Sequence, residues 1–313
     1  MPINDPLSRR TLLTRTLGAG ATLALAPFSA MGAGAPAEEI RTRAIPSSGE
    51  PLPCVGLGTW RQFDVGPDSD QRPALKEVLR RLVDLGAAVI DSSPMYGRAE
   101  RMVGTLSAEL GITDRIFGAT KVWTRGRDSG TAQMNRSMNL MHQRPMDLMQ
   151  VHNLLDWKTH LDTLQRWKED GTVRYVGVTH YVTSAFDELA TVITSRDIDF
   201  VQLPYSIQTT RAERRLLPLA DENDVGVIVN EPFEGGSLFA RVDGKPLPDW
   251  AASFDCESWA QFFLKYILGH EAVTCVIPGT SDPAHLTENV RAAYGRLPDN
   301  NTRERMRHTL DRL

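Results

Sequence analysis

Four side chains that could together transfer a proton lie in the middle of this sequence. Asp91, Lys121 and His152 each directly follow a short apolar run, and a tyrosine, Tyr96, comes soon after the first of them. A free tyrosine has a pKa of about 10, which a neighbouring ammonium lowers, while a carboxylate keeps that ammonium charged and oriented. An imidazole can bind or polarise a carbonyl oxygen. These residue types indicate proton transfer to a carbonyl, and the electron pair must come from a cofactor because no side chain of the set donates hydride.

The elements that must position these residues are short apolar strands alternating with amphipathic helices. Strands are predicted at residues 54–57, 87–90, 116–120, 147–151, 175–178, 200–203, 226–229 and 274–277. Polar or aromatic residues close the first five strands at intervals of 28 to 31 positions: Trp60, Asp91, Lys121, His152 and His180. A (β/α)8 barrel of about 250 residues needs about 31 residues per unit. We therefore predict an α/β fold, a single (β/α)8 TIM barrel domain over residues 38–313, with these residues at the C-terminal ends of the strands.

Two further patterns refine the prediction of a barrel. A doubly wound sheet would usually carry a G-x-G-x-x-G turn after its first strand, and the sequence contains no such turn. Residues 40–45 and 50–55 flank Ser47-Ser48-Gly49, which predicts an N-terminal hairpin before the first barrel strand. We expect this hairpin to cover the N-terminal mouth of the barrel.

Residues 1–37 have the three parts of a signal peptide. Arg9 and Arg10 follow Ser8 and resemble the twin-arginine motif, residues 17–30 are weakly apolar, and residues 31–37 are mostly small. The apolar run is too short to span a bilayer core of about 30 Å comfortably, so we expect cleavage rather than a stable membrane anchor. An uncleaved N-terminal anchor is the alternative. The segment predicts cytoplasmic folding, export by the twin-arginine machinery and a periplasmic mature protein.

Charge and cysteine content argue against several classes of function. The 35 Lys and Arg residues against 39 Asp and Glu give a formal net charge of −4 with both signs interspersed, so nucleic acid is not an expected partner. Cys54, Cys256 and Cys275 are too few and too scattered for a disulfide framework or a CxxC metal site. A metal-dependent hydrolase that used Asp91, His152 and His180 as ligands would need a close ligand cluster, and the sequence shows none.

Seven short motifs follow one another at the spacing of barrel units. They are Gly56-Leu57-Gly58-Thr59-Trp60, Asp91-Ser92-Ser93-Pro94-Met95-Tyr96-Gly97, Thr120-Lys121-Val122-Trp123, Gln150-Val151-His152-Asn153, Val176-Gly177-Val178-Thr179, Val201-Gln202, and Ile277-Pro278-Gly279-Thr280 with Glu288-Asn289. With these motifs the chain resembles the aldo-keto reductase family over nearly all of residues 38–313. The resemblance implies a catalytic tetrad, with the tyrosine as general acid: Asp91, Tyr96, Lys121 and His152. It also implies metal-free hydride transfer between NADP(H) and a small-molecule aldehyde or ketone.

The same resemblance implies which residues bind the cofactor. They are Gly58, Thr59, Trp60, Asp91, Thr179, His180, Gln202, Pro232, Phe233, Gly235, Gly236, Ser237, Leu238, Pro278, Gly279, Thr280, Ser281, His285, Glu288 and Asn289. Gly279 and His285 stand where many members have Lys and Arg, so NAD(H) stays open as a cofactor beside NADP(H). Asn230 stands where many members have an aromatic ring that stacks on nicotinamide. Independently of the resemblance, a helix start at Asp282-Pro283 would offer free N–H groups to a phosphate.

An apolar and aromatic substrate pocket is predicted by Trp60, Met95 and Trp123, which follow the first three strands. The alternative to an enzyme is a barrel that binds the cofactor, turns over slowly and serves as a redox sensor or accessory subunit. The complete tetrad favours the enzyme.

Overall fold

Ten strands occur in the computed structural model, which describes residues 39–313; the predicted signal peptide lies outside the described residues. The strands are β1 (Thr42–Ala44), β2 (Pro51–Pro53), β3 (Leu57–Gly58), β4 (Val89–Asp91), β5 (Phe117–Val122), β6 (Met146–His152), β7 (Val173–Thr179), β8 (Phe200–Pro204), β9 (Gly226–Asn230) and β10 (Val273–Val276). Strands β3 to β10 form one parallel sheet in chain order. This order is the one that a barrel requires.

The sheet closes on itself between its first and last strands. Parallel bridges join Val55 to Val276 and Gly58 to Gly279. A Cβ atom at position 58 would lie 2.8 Å from the carbonyl oxygen of Ile277, so the close approach of the two chains requires a glycine there. The predicted (β/α)8 TIM barrel is therefore confirmed.

Helices connect the strands and cover the barrel. They are α1 (Arg72–Asp84), α2 (Ala99–Leu110), α3 (Arg127–Met141), α4 (Trp157–Glu169), α5 (Phe186–Ser195), α6 (Leu216–Glu222), α7 (Ser237–Val242), α8 (Trp259–Leu268), α9 (Pro283–Arg291) and α10 (Asn300–Asp311). Helix α1 illustrates the sequence pattern that forms these helices. Its buried residues recur at the three-and-four spacing of one helix face: Leu75, Val78, Leu79, Leu82 and Val83. Among residues 39–313, no helix combines the length and the hydropathy needed to cross a membrane.

The interior of the barrel is apolar near the N-terminal ends of the strands. Phe117, Tyr175 and Phe200 project inward there, with ring centroids 5.8 to 6.3 Å apart. Ile45 and Leu52, from the segment that contains β1 and β2, belong to the same buried cluster. The apolar filling leaves the C-terminal ends of the strands as the place where polar side chains can meet.

The predicted N-terminal hairpin is present and is shorter than the predicted ranges, because only residues 42–44 and 51–53 pair as antiparallel strands. It lies at the N-terminal mouth, where Ser48 Oγ is 2.8 Å from the hydroxyl of Tyr175. Arg43 binds it to the start of β10 and to the segment before that strand, because its guanidinium donates to the carbonyl oxygens of Leu268, His270 and Val273. The hairpin thus covers the end of the barrel opposite the polar strand ends.

Candidate active site

A buried ion pair occupies the C-terminal ends of β4 and β5. Asp91 is the last residue of β4, and the fully buried Lys121 donates from Nζ to Oδ1 of Asp91 and, at 2.7 Å, to the carbonyl oxygen of Ser92. Burial disfavours the charged lysine, but the negative charge of Asp91 and the oxygen of Tyr96 outweigh it and raise the pKa of Lys121. Lys121 is therefore a permanent cation at neutral pH.

Two glutamine amides hold the second oxygen of the same carboxylate. Gln150 and Gln202 each donate from Nε2 to Oδ2 of Asp91 at 3.0 Å. Both side chains are buried, and the Nε2 of Gln202 also lies 3.3 Å from the Oε1 of Gln150. Every oxygen of this buried carboxylate is therefore hydrogen-bonded, as a buried charge requires.

Tyr96 lies above the ion pair. Its ring centroid is 4.9 Å from the Nζ of Lys121, and the turn that places it ends at Gly97, whose φ of 63° favours glycine. Burial raises the pKa of the phenol, and the opposing charge of Lys121 does not overcome it. The expectation of a lowered tyrosine pKa is therefore wrong, because desolvation of the phenolate exceeds its attraction to the lysine. The phenol stays protonated at neutral pH and can donate its proton.

His152 supplies a neutral imidazole beside the phenol. The rings of Tyr96 and His152 meet edge to face with centroids 5.7 Å apart, and the Nδ1 of His152 is 2.9 Å from the Oγ of Ser93. Burial, followed by the charges of Lys121 and His180, lowers the pKa of His152 to about 2. The Nε2 atom has no hydrogen-bond partner among residues 39–313, so it is available to a bound molecule.

These groups open into a cavity of about 580 Å³. The predicted site residues that line it are Gly58, Thr59, Trp60, Asp91, Met95, Tyr96, His152, Thr179, Gln202, Pro232, Phe233, Gly235, Gly236 and Gly279. Asn230, which the resemblance places beside the nicotinamide, also lines it. So do residues that the sequence does not assign to the site: Arg61, Gln62, Asn153, Tyr181, Glu231, Phe239 and Ile277. The structure thus gathers residues from most of the strand ends around one cavity of the size that small-molecule sites have.

Several predicted site residues lie away from this cavity. Leu238 lies in the first turn of α7 with its side chain fully buried in the hydrophobic core, so its contact with the cofactor, which stays a prediction, would have to come from its backbone. The ring of His180 accepts from the backbone N–H groups of Tyr181 and Val182, at 3.0 and 3.2 Å, and Tyr181 lines the cavity in its place. Trp123 stands beside the cavity, with its ring centroid 6.4 Å from that of His152.

The residues predicted to bind the adenosine end lie beyond the cavity. They are Pro278, Thr280, Ser281, His285, Glu288 and Asn289, of which Pro278, Thr280 and Asn289 are buried. Ser237, predicted as a cofactor contact in the loop that contains Gly235 and Gly236, also lies outside the lining. At the N-terminus of α9, the Oδ1 of Asp282 accepts the N–H groups of Ala284 and His285 at 2.6 and 3.3 Å. The prediction that these N–H groups are free for a phosphate is therefore wrong, because the capping carboxylate of Asp282 takes them.

The polar side chain of Asn230 in the cavity fits the carboxamide of a nicotinamide. Asn230 donates from Nδ2 to the carbonyl oxygen of His180 and to the Oε1 of Gln202, and its own Oδ1 is buried without a partner. A carboxamide N–H would satisfy that oxygen. Gly235 and Gly236 have positive φ angles and no atom near the position of an added Cβ, so their loop leaves room for a bound group. No group of three metal-ligating side chains occurs in the described part of the chain.

Comparison with known proteins shows the family to which the chain belongs. The model of the Aldo/keto reductase family matches residues 54–305, which is most of the chain, and the protein therefore belongs to that family. Methylglyoxal reductase YeaE of Escherichia coli is 26% identical over 245 residues, covering 76% of this chain and 84% of that protein. Aldo-keto reductase yakc of Schizosaccharomyces pombe is 24% identical over 299 residues, covering 81% and 87%.

Solved structures show the same fold. An aldo/keto reductase from Klebsiella pneumoniae in complex with NADP and acetate superposes with a TM-score of 0.69 at 21% identity, covering 84% of this chain and 93% of that one. The holo form of an aldo-keto reductase from Bacillus halodurans gives a TM-score of 0.69 at 21% identity, covering 87% and 96%.

Proposed function

We propose that this protein is an NADP(H)-dependent carbonyl reductase that converts aldehydes or ketones to alcohols, with Tyr96 as the general acid. The observation that carries the proposal is the buried pair of Asp91 and Lys121 directly beneath a protonated phenol. A buried ion pair in this position favours proton donation by the phenol, because the cation stabilises the phenolate that remains. Burial of a charged pair is otherwise a weak source of stability.

Each side chain has one task in this reaction. Tyr96 donates its proton to the carbonyl oxygen, and Lys121 stabilises the resulting phenolate. Asp91 keeps the lysine charged and in place. His152, which is neutral, binds the same carbonyl oxygen from its unpartnered Nε2 and directs it toward the phenol; this use requires the tautomer that carries the proton on Nε2, with Nδ1 accepting from Ser93. When bound, the cofactor supplies the hydride, and Thr179, Gln202 and Asn230 are the side chains that would hold its nicotinamide.

We propose NADP(H) as the cofactor, with NAD(H) as the alternative. The NADP complex of the relative from Klebsiella pneumoniae supports this choice. The side chains of this chain weaken the preference for the 2′-phosphate, because Gly279 and the exposed His285 offer no permanent cation there. The name of the methylglyoxal reductase relative supports an aldehyde as substrate.

The proposal for localisation rests on the sequence alone. Arg9 and Arg10 with the weakly apolar segment behind them support export of a folded protein and a periplasmic mature chain that begins near residue 38. The barrel over residues 38–313 would then be folded and loaded with dinucleotide in the cytoplasm, where the dinucleotide is made.

Purified protein tests the reaction. We expect it to bind NADPH, seen as quenching of tryptophan fluorescence, and to oxidise NADPH when an aldehyde panel is added. Tyr96→Phe should keep the NADPH dissociation constant and lose about 10²-fold or more in kcat, the usual scale of general acid catalysis. Tyr181→Phe removes a phenol hydroxyl from the same cavity and serves as the matched control, with little change in kcat. Binding of NADPH with parent turnover no faster than that of Tyr96→Phe would instead support the cofactor-binding sensor.

A further inference from the structure

Three side chains that line the cavity, Asn153, Asn230 and Glu231, have oxygen acceptors without a partner among residues 39–313. The Oδ1 atoms of Asn153 and Asn230 are buried and accept no hydrogen bond. The carboxylate of Glu231 lines the same cavity, and within residues 39–313 it forms neither a hydrogen bond nor an ion pair. One of these acceptors, Asn230, is accounted for by the nicotinamide. The other two are left to accept from water or from a bound molecule.

The position of Glu231 is set by the backbone. It follows β9 directly, has a left-handed φ of 51°, and its carbonyl oxygen accepts from the N–H of Glu234 at 3.1 Å. Pro232 comes next and restricts the chain further. The half-buried side chain lies close enough to Tyr96 for its negative charge to contribute to the raised pKa of that phenol. Glu231 and Tyr96 therefore line the same cavity, at the C-terminal ends of the strands where the carbonyl reacts.

No other charge of the cavity compensates Glu231 at that end. Asp91 and Lys121 neutralise each other, and His152 is uncharged. Arg61 also lines the cavity, but it is exposed and its guanidinium is stacked on the ring of Trp60 at 4.2 Å. Water and salt screen an exposed cation more strongly than a half-buried carboxylate. The reactive end of the cavity therefore carries a net negative charge.

The mouth of the cavity is apolar. Trp60, Met95, Tyr181 and Phe239 line it and are 45%, 43%, 55% and 39% exposed. Of the large hydrophobic side chains that are exposed in the described residues, only Trp123 and Leu313 lie outside its lining. Exposed apolar side chains gathered at one place mark a binding surface, and here they surround the entrance to the reactive groups.

We propose that the substrates are carbonyl compounds with an aromatic or apolar body and a cationic group, and that Glu231 is the residue that selects the cation and rejects carboxylates and phosphates. The inference rests on the proposed carbonyl reductase activity. The apolar mouth takes the body of the substrate, and the carboxylate of Glu231 attracts its positive charge. No step of the reaction depends on Glu231, so it is a specificity-determining residue.

Three aldehydes of one shape test the charge preference: benzaldehyde, 4-carboxybenzaldehyde and 4-(trimethylammonio)benzaldehyde. For each variant, kcat/KM of the two charged aldehydes is divided by that of benzaldehyde. Comparing the quotient between variant and parent cancels the intrinsic reactivity of each carbonyl. For Glu231→Gln, the quotient should fall about 10-fold for the cation and rise about 10-fold for the anion, the scale of one charge several ångströms away in a partly exposed site.

Glu234→Gln is the matched control. It removes the same charge from the same loop, but Glu234 accepts a hydrogen bond from Ser206 and does not line the cavity. Its quotients should equal those of the parent. Equal changes in both variants would overturn the inference, since they would reflect the general field of the protein rather than a contact with Glu231.

Two further measurements separate the possible failures. Benzyltrimethylammonium and benzoate contain no reducible carbonyl, so their dissociation constants report charge selection even if no aldehyde turns over. Absence of turnover with all three aldehydes would reject the proposed function, while tighter binding of the ammonium ligand, lost in Glu231→Gln, would still support the selection. Unchanged quotients together with a lower NADPH dissociation constant for Glu231→Gln would place this carboxylate beside the cofactor and overturn the inference.

Discussion

Gln150 donates a hydrogen bond to the oxygen of Asp91 that Lys121 does not bind, at 3.0 Å. The amide faces the barrel interior from β6, opposite Gly177 of β7 in the register of the two strands. A Cβ at position 177 would lie 2.8 Å from the carbonyl oxygen of Phe200 and 3.2 Å from the Cγ of Gln150, so a glycine makes room for this side chain. Gln150 thus fixes the carboxylate in the orientation that points its other oxygen at Lys121.

Replacing Gln150 should disturb the reaction through Asp91 in a way that depends on pH. Gln150→Glu places a second carboxylate against the first, and their repulsion should lower kcat at least about 10-fold at pH 8. At lower pH one carboxyl of the pair is protonated and can donate as the amide did, so kcat should recover. The measurement is kcat for aldehyde reduction between pH 5 and pH 9.

Two variants complete that experiment. Gln150→Leu has no donor at any pH and should lose about 10-fold in kcat without recovery, the scale of one hydrogen bond to a charged group. Gln165→Glu, on α4 and outside the cavity, should follow the parent profile. A Gln150→Glu profile parallel to that of the parent would show that Gln150 does not act through Asp91.

Acid should destabilise the fold through His152. The unfolded chain takes up a proton on this ring below about pH 6.5, whereas burial, followed by the charges of Lys121 and His180, holds the folded pKa at about 2. Between those values the unfolded state binds more protons, so stability falls as pH falls, by up to about 1.4 kcal/mol per pH unit. Urea unfolding at pH 7.5 and pH 5 should show this contribution as a loss of about 2 kcal/mol in the parent.

The loss due to His152 should be absent from His152→Asn. The control His308→Asn changes an exposed histidine on α10 and should keep the loss seen in the parent. If the difference in unfolding free energy between pH 7.5 and pH 5 were the same for parent and His152→Asn, this ring would not be held neutral in the folded protein.

Cofactor choice should be adjustable at position 285. His285 is exposed in the first turn of α9, where an arginine would offer a permanently charged, bidentate partner to a 2′-phosphate. His285→Arg should therefore lower the dissociation constant of NADPH and leave that of NADH nearly unchanged. Fluorescence titration with both cofactors measures this, with His308→Arg as the control for added charge. Equal effects on NADPH and NADH would mean that residue 285 does not reach the 2′ position.

Export should depend on the paired arginines of the first segment. Replacing Arg9 and Arg10 together by Lys keeps the charge but removes the twin-arginine motif, so the precursor should remain inside the cell. Fractionation with immunoblotting measures its location, and kcat of the purified variant should equal that of the parent because the change lies outside the barrel. Export of the double variant to the periplasm would contradict a twin-arginine route.

Sequence reasoning found the residues that stand at the ends of apolar strands. Asp91, Lys121 and His152 were visible because each interrupts hydrophobicity at the regular interval of a barrel unit. Gln150 was not assigned a role because it lies inside a strand, although a glutamine within a buried run is itself a signal of an inward polar contact. Glu231 lies in a loop, where no period predicts which way a side chain points.

The departures from expectation at the cofactor end have local causes. The sequence predicts Leu238 in an open loop, but α7 begins one residue earlier and turns its side chain into the core. Asp282 and Pro283 predict the helix start, but aspartate is also among the best N-capping residues, so its carboxylate competes with a phosphate for the same N–H groups. Only the folded backbone shows which of the two acceptors is already in place.

The hydrogen bonds of Arg43 cannot form until a much later part of the chain has been synthesised. The carbonyl groups that receive its guanidinium lie 225 to 230 residues later in the chain. At a synthesis rate of about 5 to 20 residues per second, a ribosome needs roughly 10 to 45 s to produce them after the arginine. During that interval the hairpin exists without its anchor and the barrel without its last strand. A nascent chain of this protein therefore cannot close its barrel until at least 225 residues have been added after the arginine.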